Sequence, residues 1–162
     1  MTRLIATAAV AALSLSAAIP GYAATKPAKV PAMIAATPAD KAQVVFYRPG
    51  GSGMAIRCTV RDQGKMIGRV GNGKYFTQTF TPGKYSFTTK TESTDTLTME
   101  LESGETYYVK CKIGMGLMSG RPNLSPSTKA EFDARSAKLK VKTAEDIAKE
   151  AAEDAADAAS GK

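Results

Sequence analysis

The residues able to do chemistry in this sequence are few, and the commonest general base is missing. None of the 162 residues is a histidine, so no imidazole is available to activate a nucleophile or to bind a metal. Paired carboxylates are the remaining route to hydrolysis, and Glu100 and Glu102 share one face of a predicted strand, about 7 Å apart. That face is open to water, unlike the sites in which carboxylate pairs work. We therefore predict no catalytic residue, no cofactor and no metal site, with a carboxylate-only hydrolase as the less favoured alternative.

Cys58 and Cys111 are the two cysteines, and alternation places both on the inward face of separate predicted strands. An oxidising compartment would favour their pairing. The bond would close a loop of about 53 positions, and the loss of chain entropy in the unfolded state would then stabilise the fold by at most about 4 kcal/mol. Two separately buried thiols are the alternative, whereas a metal site with two cysteines and no histidine is disfavoured.

Basic side chains recur at outward positions of the predicted strands. Lys and Arg number 22 against 15 Asp and Glu, which gives a formal net charge of +7. Arg57 and Arg61 share one outward face, Lys110 and Lys112 share another, and Tyr108 is an outward-facing aromatic residue beside them. These residues are candidates for an interaction surface that meets acidic lipid headgroups, cell-wall polymers or an acidic partner, although an ordinary solvated face is the favoured interpretation.

A flexible apolar loop after the last predicted strand supplies further candidate contacts. It carries Met115, Leu117 and Met118 among glycines, and methionine-rich loops adapt to partners. The alternative is that Leu117 and Met118 pack over one end of the domain.

The N-terminus has the pattern of a signal peptide over residues 1–23. Arg3 precedes an apolar stretch, and the small residues Gly21 and Ala23 fit cleavage after residue 23. The stretch has about 16 apolar residues, fewer than the roughly 20 that span a membrane, so we expect no stable transmembrane segment after processing. The predicted location is periplasmic or secreted. Nucleic acid is then disfavoured as a partner, which leaves an envelope protein or a cell-wall polymer.

The rest of the chain divides by composition. Residues 24–42 are rich in Pro, Ala and Lys and predict a linker, whereas residues 43–121 carry β-branched and aromatic runs separated by Gly and Pro. We predict an all-β fold, a small antiparallel β-sandwich of about seven strands. A short helix is expected within 122–142, and residues 143–162 form a charged, Ala-rich tail without an apolar face. The predicted strands are roughly 43–48, 54–62, 65–70, 74–80, 84–91, 96–102 and 105–113.

Alternation within the strands predicts one buried and one wet face for each sheet. The inward set begins with Met54, Ile56, Cys58 and Val60. Register parity further predicts a tight hairpin at Pro82-Gly83 that brings Phe80 opposite Tyr85, and a three-residue hairpin at 102–104 that brings Met99 opposite Tyr107.

Five short motifs occur in order along the predicted β region. They are Val44-Val45-Phe46-Tyr47-Arg48-Pro49, Val60-Arg61-Asp62-Gln63-Gly64-Lys65, Asn72-Gly73-Lys74-Tyr75-Phe76, Pro82-Gly83-Lys84-Tyr85 and Gly104-Glu105-Thr106-Tyr107-Tyr108-Val109. With them the chain resembles, over roughly Ala42 to Ile113, the bacterial family called domain of unknown function 2846 (DUF2846). The resemblance implies a small exported β-sandwich with no assigned activity. Such proteins are often lipoproteins, and this chain lacks a cysteine near its apolar stretch that could be acylated.

These observations favour an exported, non-catalytic module for protein or cell-envelope interaction. A carbohydrate- or cell-wall-binding module is the alternative, and it would use an exposed aromatic platform, for which Tyr108 is the candidate.

Overall fold

Nine strands and two helices make up the described part of the chain. The structure is a computed structural model that describes residues 32–51, 53–116 and 120–160. The predicted signal peptide and the predicted linker as far as residue 31 lie outside the described residues. The elements are β1 (Ala42–Arg48), β2 (Cys58–Asp62), β3 (Lys65–Val70), β4 (Lys74–Phe80), β5 (Gly83–Lys90), β6 (Thr94–Leu101), β7 (Thr106–Gly114), β8 (Arg121–Ser127), α1 (Lys129–Ser136), β9 (Lys140–Val141) and α2 (Ala144–Ala159).

The strands form two sheets that pack face to face, which confirms the predicted β-sandwich. One sheet has five strands in the order β8-β7-β1-β4-β9, and the other has four in the order β3-β2-β5-β6. The five-stranded sheet is mixed, because β1 runs parallel to β7 and β4 runs parallel to β9. All the pairings within the four-stranded sheet are antiparallel.

The two connections predicted as hairpins after β4 and β6 are crossings between the sheets. β4 and β7 belong to the five-stranded sheet, whereas β5 and β6 belong to the four-stranded sheet. Met99 therefore pairs with Tyr85, and the predicted pairing with Tyr107 is wrong. Register parity identifies which side chains face the core. Because both sheets face the same core, a connection that crosses between the sheets places the same side chains inward as a hairpin does. Phe80 and Tyr85 still meet across the corner, with ring centroids 4.9 Å apart.

The inner faces of the two sheets enclose the main core. Phe46 stacks on Phe76 with ring centroids 5.1 Å apart and meets Phe87 edge-on at the same distance. Most predicted inward positions are buried in this core or are partly buried and pack against it. Met54 is an exception at 75% exposure, because β2 begins four residues later than its position.

Cys58 and Cys111 form a disulfide within this core. Both residues are buried, and their Cα atoms lie 6.6 Å apart. Cys58 begins β2 of the four-stranded sheet and Cys111 lies in β7 of the five-stranded sheet, so the bond joins the two layers. The predicted pairing is confirmed.

The outer face of the five-stranded sheet is covered, where alternation predicted a wet face. Phe132 of α1 packs on Tyr47, Tyr75 and Tyr108, with ring centroids 5.3 to 5.5 Å apart. Ile34, from the predicted linker, joins the same cluster. Every residue of β1 is consequently buried.

The C-terminal region contains more regular structure than the sequence predicted. Only Lys129–Ser136 of the predicted helical region is an α-helix, and residues 121–127 form the edge strand β8. Pro122 and Pro126 fit there because an edge strand tolerates residues without a backbone N–H. The predicted tail contains α2, whose N-cap Thr143 forms a capping box with Asp146. Neither helix of the described residues is long and apolar enough to cross a membrane.

Candidate functional site

A basic groove lies where α1 crosses the outer face of the five-stranded sheet. It has a volume of about 570 Å³ and runs between α1, the end of β1 with the loop after it, and the second half of β7. We call it the α1 groove. Its charged lining residues are Arg48, Lys110, Lys112, Glu131 and Arg135, four cations and one carboxylate.

One of the four cations is held by the carboxylate. The ammonium of Lys110 donates to Oε2 of Glu131 at 2.5 Å, and the Ser127 hydroxyl donates to the same oxygen at 2.6 Å. Because Ser127 uses its proton there, the Tyr47 hydroxyl is the donor in their 2.6 Å contact. The hydrogen bonds from Lys110 and Ser127 hold the pKa of Glu131 below its ordinary value. Glu131 is therefore an anchored anion.

Arg48 supports the wall of the groove from below. It is 2% exposed, and its guanidinium donates to the carbonyl oxygens of Gly53, at 2.7 Å, and of Ile56. Burial lowers the pKa of this guanidinium from its ordinary value. These bonds fix the loop after β1, whose residues Pro49 to Gly51 line the groove.

The other two cations face solvent. Lys112 follows Lys110 by two positions on β7, so both project from the outer face, and Arg135 lies in the last turn of α1. Neither Lys112 nor Arg135 forms a salt bridge within the described ranges of the chain. A strand and a helix thus present two available positive charges to one concave surface. Ammonium and guanidinium groups in this arrangement suit a carboxylate or phosphate, for which arginine offers two parallel N–H donors.

The structure divides the predicted basic surface between the two sides of the sandwich. Lys110 and Lys112 line the α1 groove, whereas Arg57 and Arg61 lie with the four-stranded sheet. Arg61 is engaged by α2, donating to both carboxylate oxygens of Asp154 at 2.8 and 2.5 Å. Arg57 remains exposed.

Tyr108 is not the exposed aromatic that the sequence predicted. It does point away from the main core, as alternation required, but Phe132 covers it and leaves 8% exposed. Burial raises the pKa of its hydroxyl. The expectation failed because a single phenylalanine seats α1 on this face.

The remaining predicted site residues have different outcomes. Met115 is almost fully exposed after β7, while Leu117 and Met118 lie outside the described residues. Glu100 and Glu102 are both exposed. Among residues 32–51, 53–116 and 120–160, no three His, Cys, Asp or Glu side chains come together as a metal site.

Arg48, Glu131 and Arg135 belong to the groove, and sequence reasoning missed them. Arg48 occupies an ordinary position in the strand alternation, so no sequence pattern indicates that it bonds the loop after β1. Glu131 lies in the first turn of α1, where its backbone N–H bonds the Thr128 hydroxyl, and its carboxylate accepts from Lys110. The signal that was available is Phe132, the large apolar residue of a short polar helix, which indicates the face that docks.

Comparison with known proteins identifies a family but no characterised relative. A family model described as a protein of unknown function (DUF2846) matches residues 38–123, about half of the chain. The matched range contains β1 to β7 and ends within β8, before α1 and α2. No curated protein and no solved structure matches the chain.

Proposed function

The chain belongs to the DUF2846 family of proteins of unknown function, and from that premise we propose that it is an exported, non-catalytic binding module. Its α1 groove takes an anionic group of an envelope protein or a cell-wall polymer. The observation that carries this proposal is the pair of cations, Lys112 and Arg135, that two different elements present to one groove.

The groove has the properties of a binding site rather than of a solvated face. Its volume falls within the range usual for ligand sites, about 300 to 1,000 Å³. Its walls are held in place, since α1 is seated by Phe132 and the loop after β1 by Arg48. A rigid wall reduces the ordering that binding requires, which favours affinity.

Export is supported by two independent features. The N-terminal pattern is that of a signal peptide. The disulfide between Cys58 and Cys111 is a feature that persists in oxidising compartments and is rare in reducing ones.

A non-catalytic role fits the chemistry of the residues present. The chain has no histidine, and Glu131 is held as an anion by Lys110 and Ser127. A carboxylate fixed in that state is a poor proton donor. The carbohydrate-binding alternative loses its aromatic platform, because Tyr108 is covered by Phe132.

The test is a binding measurement with two probes, because carboxylate and phosphate ligands have different sources. Poly-L-glutamate represents an acidic protein segment, and a phosphodiester-linked polyol polymer represents the cell wall. We expect one of them to bind the processed protein, and Lys112→Gln with Arg135→Gln to weaken that binding about tenfold or more, as loss of charge-assisted hydrogen bonds implies.

Lys84→Gln with Lys90→Gln is the matched control, since it removes the same charge from exposed positions of β5 outside the groove. Equal losses of binding in both double variants would show that the effect depends on net charge alone, and would contradict the proposal. Turnover of a hydrolase substrate that is lost with Glu100→Ala or Glu102→Ala would overturn the non-catalytic part.

A further inference from the structure

The helix α2 is attached to the sandwich by charges rather than by an apolar face. None of its residues is buried, and Ile147 is its one large aliphatic contact with the main core. Asp154 accepts two hydrogen bonds from Arg61 and lies 3.8 Å from a guanidinium nitrogen of Arg69. Glu150 pairs with Lys142. A helix that belongs to a core normally presents an apolar stripe to it.

The surface under α2 is cationic and fixed in place. We call Arg61, Arg69 and Lys142 the β2–β3 cationic face. Arg69 is held by a 3.1 Å hydrogen bond from its Nε to the Thr59 hydroxyl. Lys142 is anchored by its backbone N–H on the carbonyl of Tyr75, at 2.8 Å, and by its ammonium on the carbonyl of Arg69, at 2.9 Å.

The opposing surface of α2 is strongly acidic. The helix carries one basic residue, Lys149, against six carboxylates: Glu145, Asp146, Glu150, Glu153, Asp154 and Asp157. Glu150 and Asp154 are four positions apart and so lie on one side of the helix, with Ile147 one turn earlier. The cationic face therefore fits a specific pattern, an aliphatic residue followed three and seven positions later by carboxylates.

The contact between α2 and the sandwich is partly open to water, although the Lys142 side chain, in its pair with Glu150, is only 4% exposed. A cleft of about 230 Å³ has Arg57, Lys74 and Lys142 on one side and acidic residues of α2 on the other. The pair from Arg61 to Asp154 leaves 32% of the arginine side chain exposed. Ion pairs that water reaches contribute little to stability and are weakened by salt.

We infer that the β2–β3 cationic face is a docking site for an acidic amphipathic helix of a partner protein, and that α2 is the resident occupant which the partner displaces. The fit of α2 defines the partner chemically, since the chain itself supplies a helix of the required charge and spacing. The family match ends at residue 123, ahead of α2, so the covering helix lies beyond the matched β region. Arg61 and Arg69 lie on the four-stranded sheet, and Lys142 follows β9 at the edge of the five-stranded sheet. The site contains no residue that lines the α1 groove.

The test uses the full chain and a fluorescent peptide with the sequence of residues 143–160 as the partner helix. In the unaltered protein the tethered α2 competes at an effective concentration on the order of millimolar, so the peptide should bind weakly. Glu150→Gln with Asp154→Asn loosens α2, and we expect the peptide to bind that variant at least tenfold more tightly. Adding Arg61→Gln and Arg69→Gln should abolish the gain.

Two measurements keep the outcome unambiguous. Hydrogen exchange of the α2 amides should accelerate in the Glu150→Gln and Asp154→Asn variant, and unchanged protection would overturn the claim that charges hold the helix. The unaltered protein and the loosened variant both contain the α1 groove, so the gain in peptide binding does not come from it, and Lys84→Gln with Lys90→Gln, on β5, should leave that gain unchanged.

Peptide binding that is no tighter in the loosened variant, or is indifferent to Arg61 and Arg69, would refute the docking site. Dimerisation of the unaltered chain by mutual exchange of α2, detected by sedimentation and lost with Arg61→Gln, would make the partner a second copy and overturn the assignment to another protein.

Discussion

Removing the bond between Cys58 and Cys111 should lower the free energy of unfolding by about 2 to 4 kcal/mol and leave the fold intact. The bond closes a loop with a sequence separation of 53, for which the chain-entropy relation gives about 4 kcal/mol at 25 °C. Residual structure in the reduced, unfolded chain brings the measured value below that limit. The fold should persist because Phe46, Phe76 and Phe87 hold the two sheets together without the bond.

Urea unfolding, followed by far-ultraviolet circular dichroism, measures this difference for the oxidised protein, the reduced protein and the Cys58→Ala/Cys111→Ala variant. With a slope of about 2 kcal/mol per molar urea, which is usual for a small protein, the midpoint should fall by about 1 to 2 M. The double variant is its own control, since reductant should not change its midpoint. Two free thiols in the denatured, unreduced protein, or coincident curves before and after reduction, would refute the reasoning.

Three further predictions follow from single side chains. A Cβ at position 68 would lie 2.4 Å from the ring of Phe76, which is fully buried, so Gly68→Ala should lower the unfolding free energy by about 2 kcal/mol in urea titrations. Thr89 is buried, and its hydroxyl has no hydrogen-bond partner among the described residues, so Thr89→Val should raise the same free energy by about 1 kcal/mol; a loss would contradict it. Hydrogen bonding from Arg61 lowers the pKa of Asp154. The stabilisation of α2 by this carboxylate is therefore fully present above the unfolded-state pKa of about 4, and it is lost as the pH falls through the lower folded-state pKa. Hydrogen-exchange protection of α2 should fall in that acid range in the unaltered protein, and Asp154→Asn should reduce this pH dependence; Glu145, whose pKa is also lowered, accounts for part of what remains.

The strands and the main core could be predicted because their signal is local. A strand repeats every two residues, so Val60, Phe87 and Val109 could be assigned to the core from their own neighbourhoods. The disulfide followed from the same alternation together with the predicted compartment. The assignment of each strand to a sheet could not follow, because a crossing at Pro82-Gly83 and a hairpin there place the same residues inward.

The candidate site was less predictable because long-range contacts assemble it. Lys110 and Lys112 were identified from alternation on one strand, but Arg135 reaches them only because Phe132 docks α1 across the sheet. The acidic residues of α2 gave the pattern of a solvated tail. Asp154 has a partner only because β2 brings Arg61 beneath it, and no local sequence pattern predicts that contact.

The most direct test of the proposed function is crosslinking in the protein's own cell from a photoreactive amino acid at position 134, because Ala134 lines the α1 groove without contributing a charge. We expect adducts with an acidic envelope protein or a cell-wall polymer, as proposed above, and their loss when Arg135→Gln is added. The same amino acid at position 84, which is exposed on β5 outside the α1 groove, should give no such adduct. The absence of adducts at position 134, or equal adducts at positions 134 and 84, would contradict the proposal.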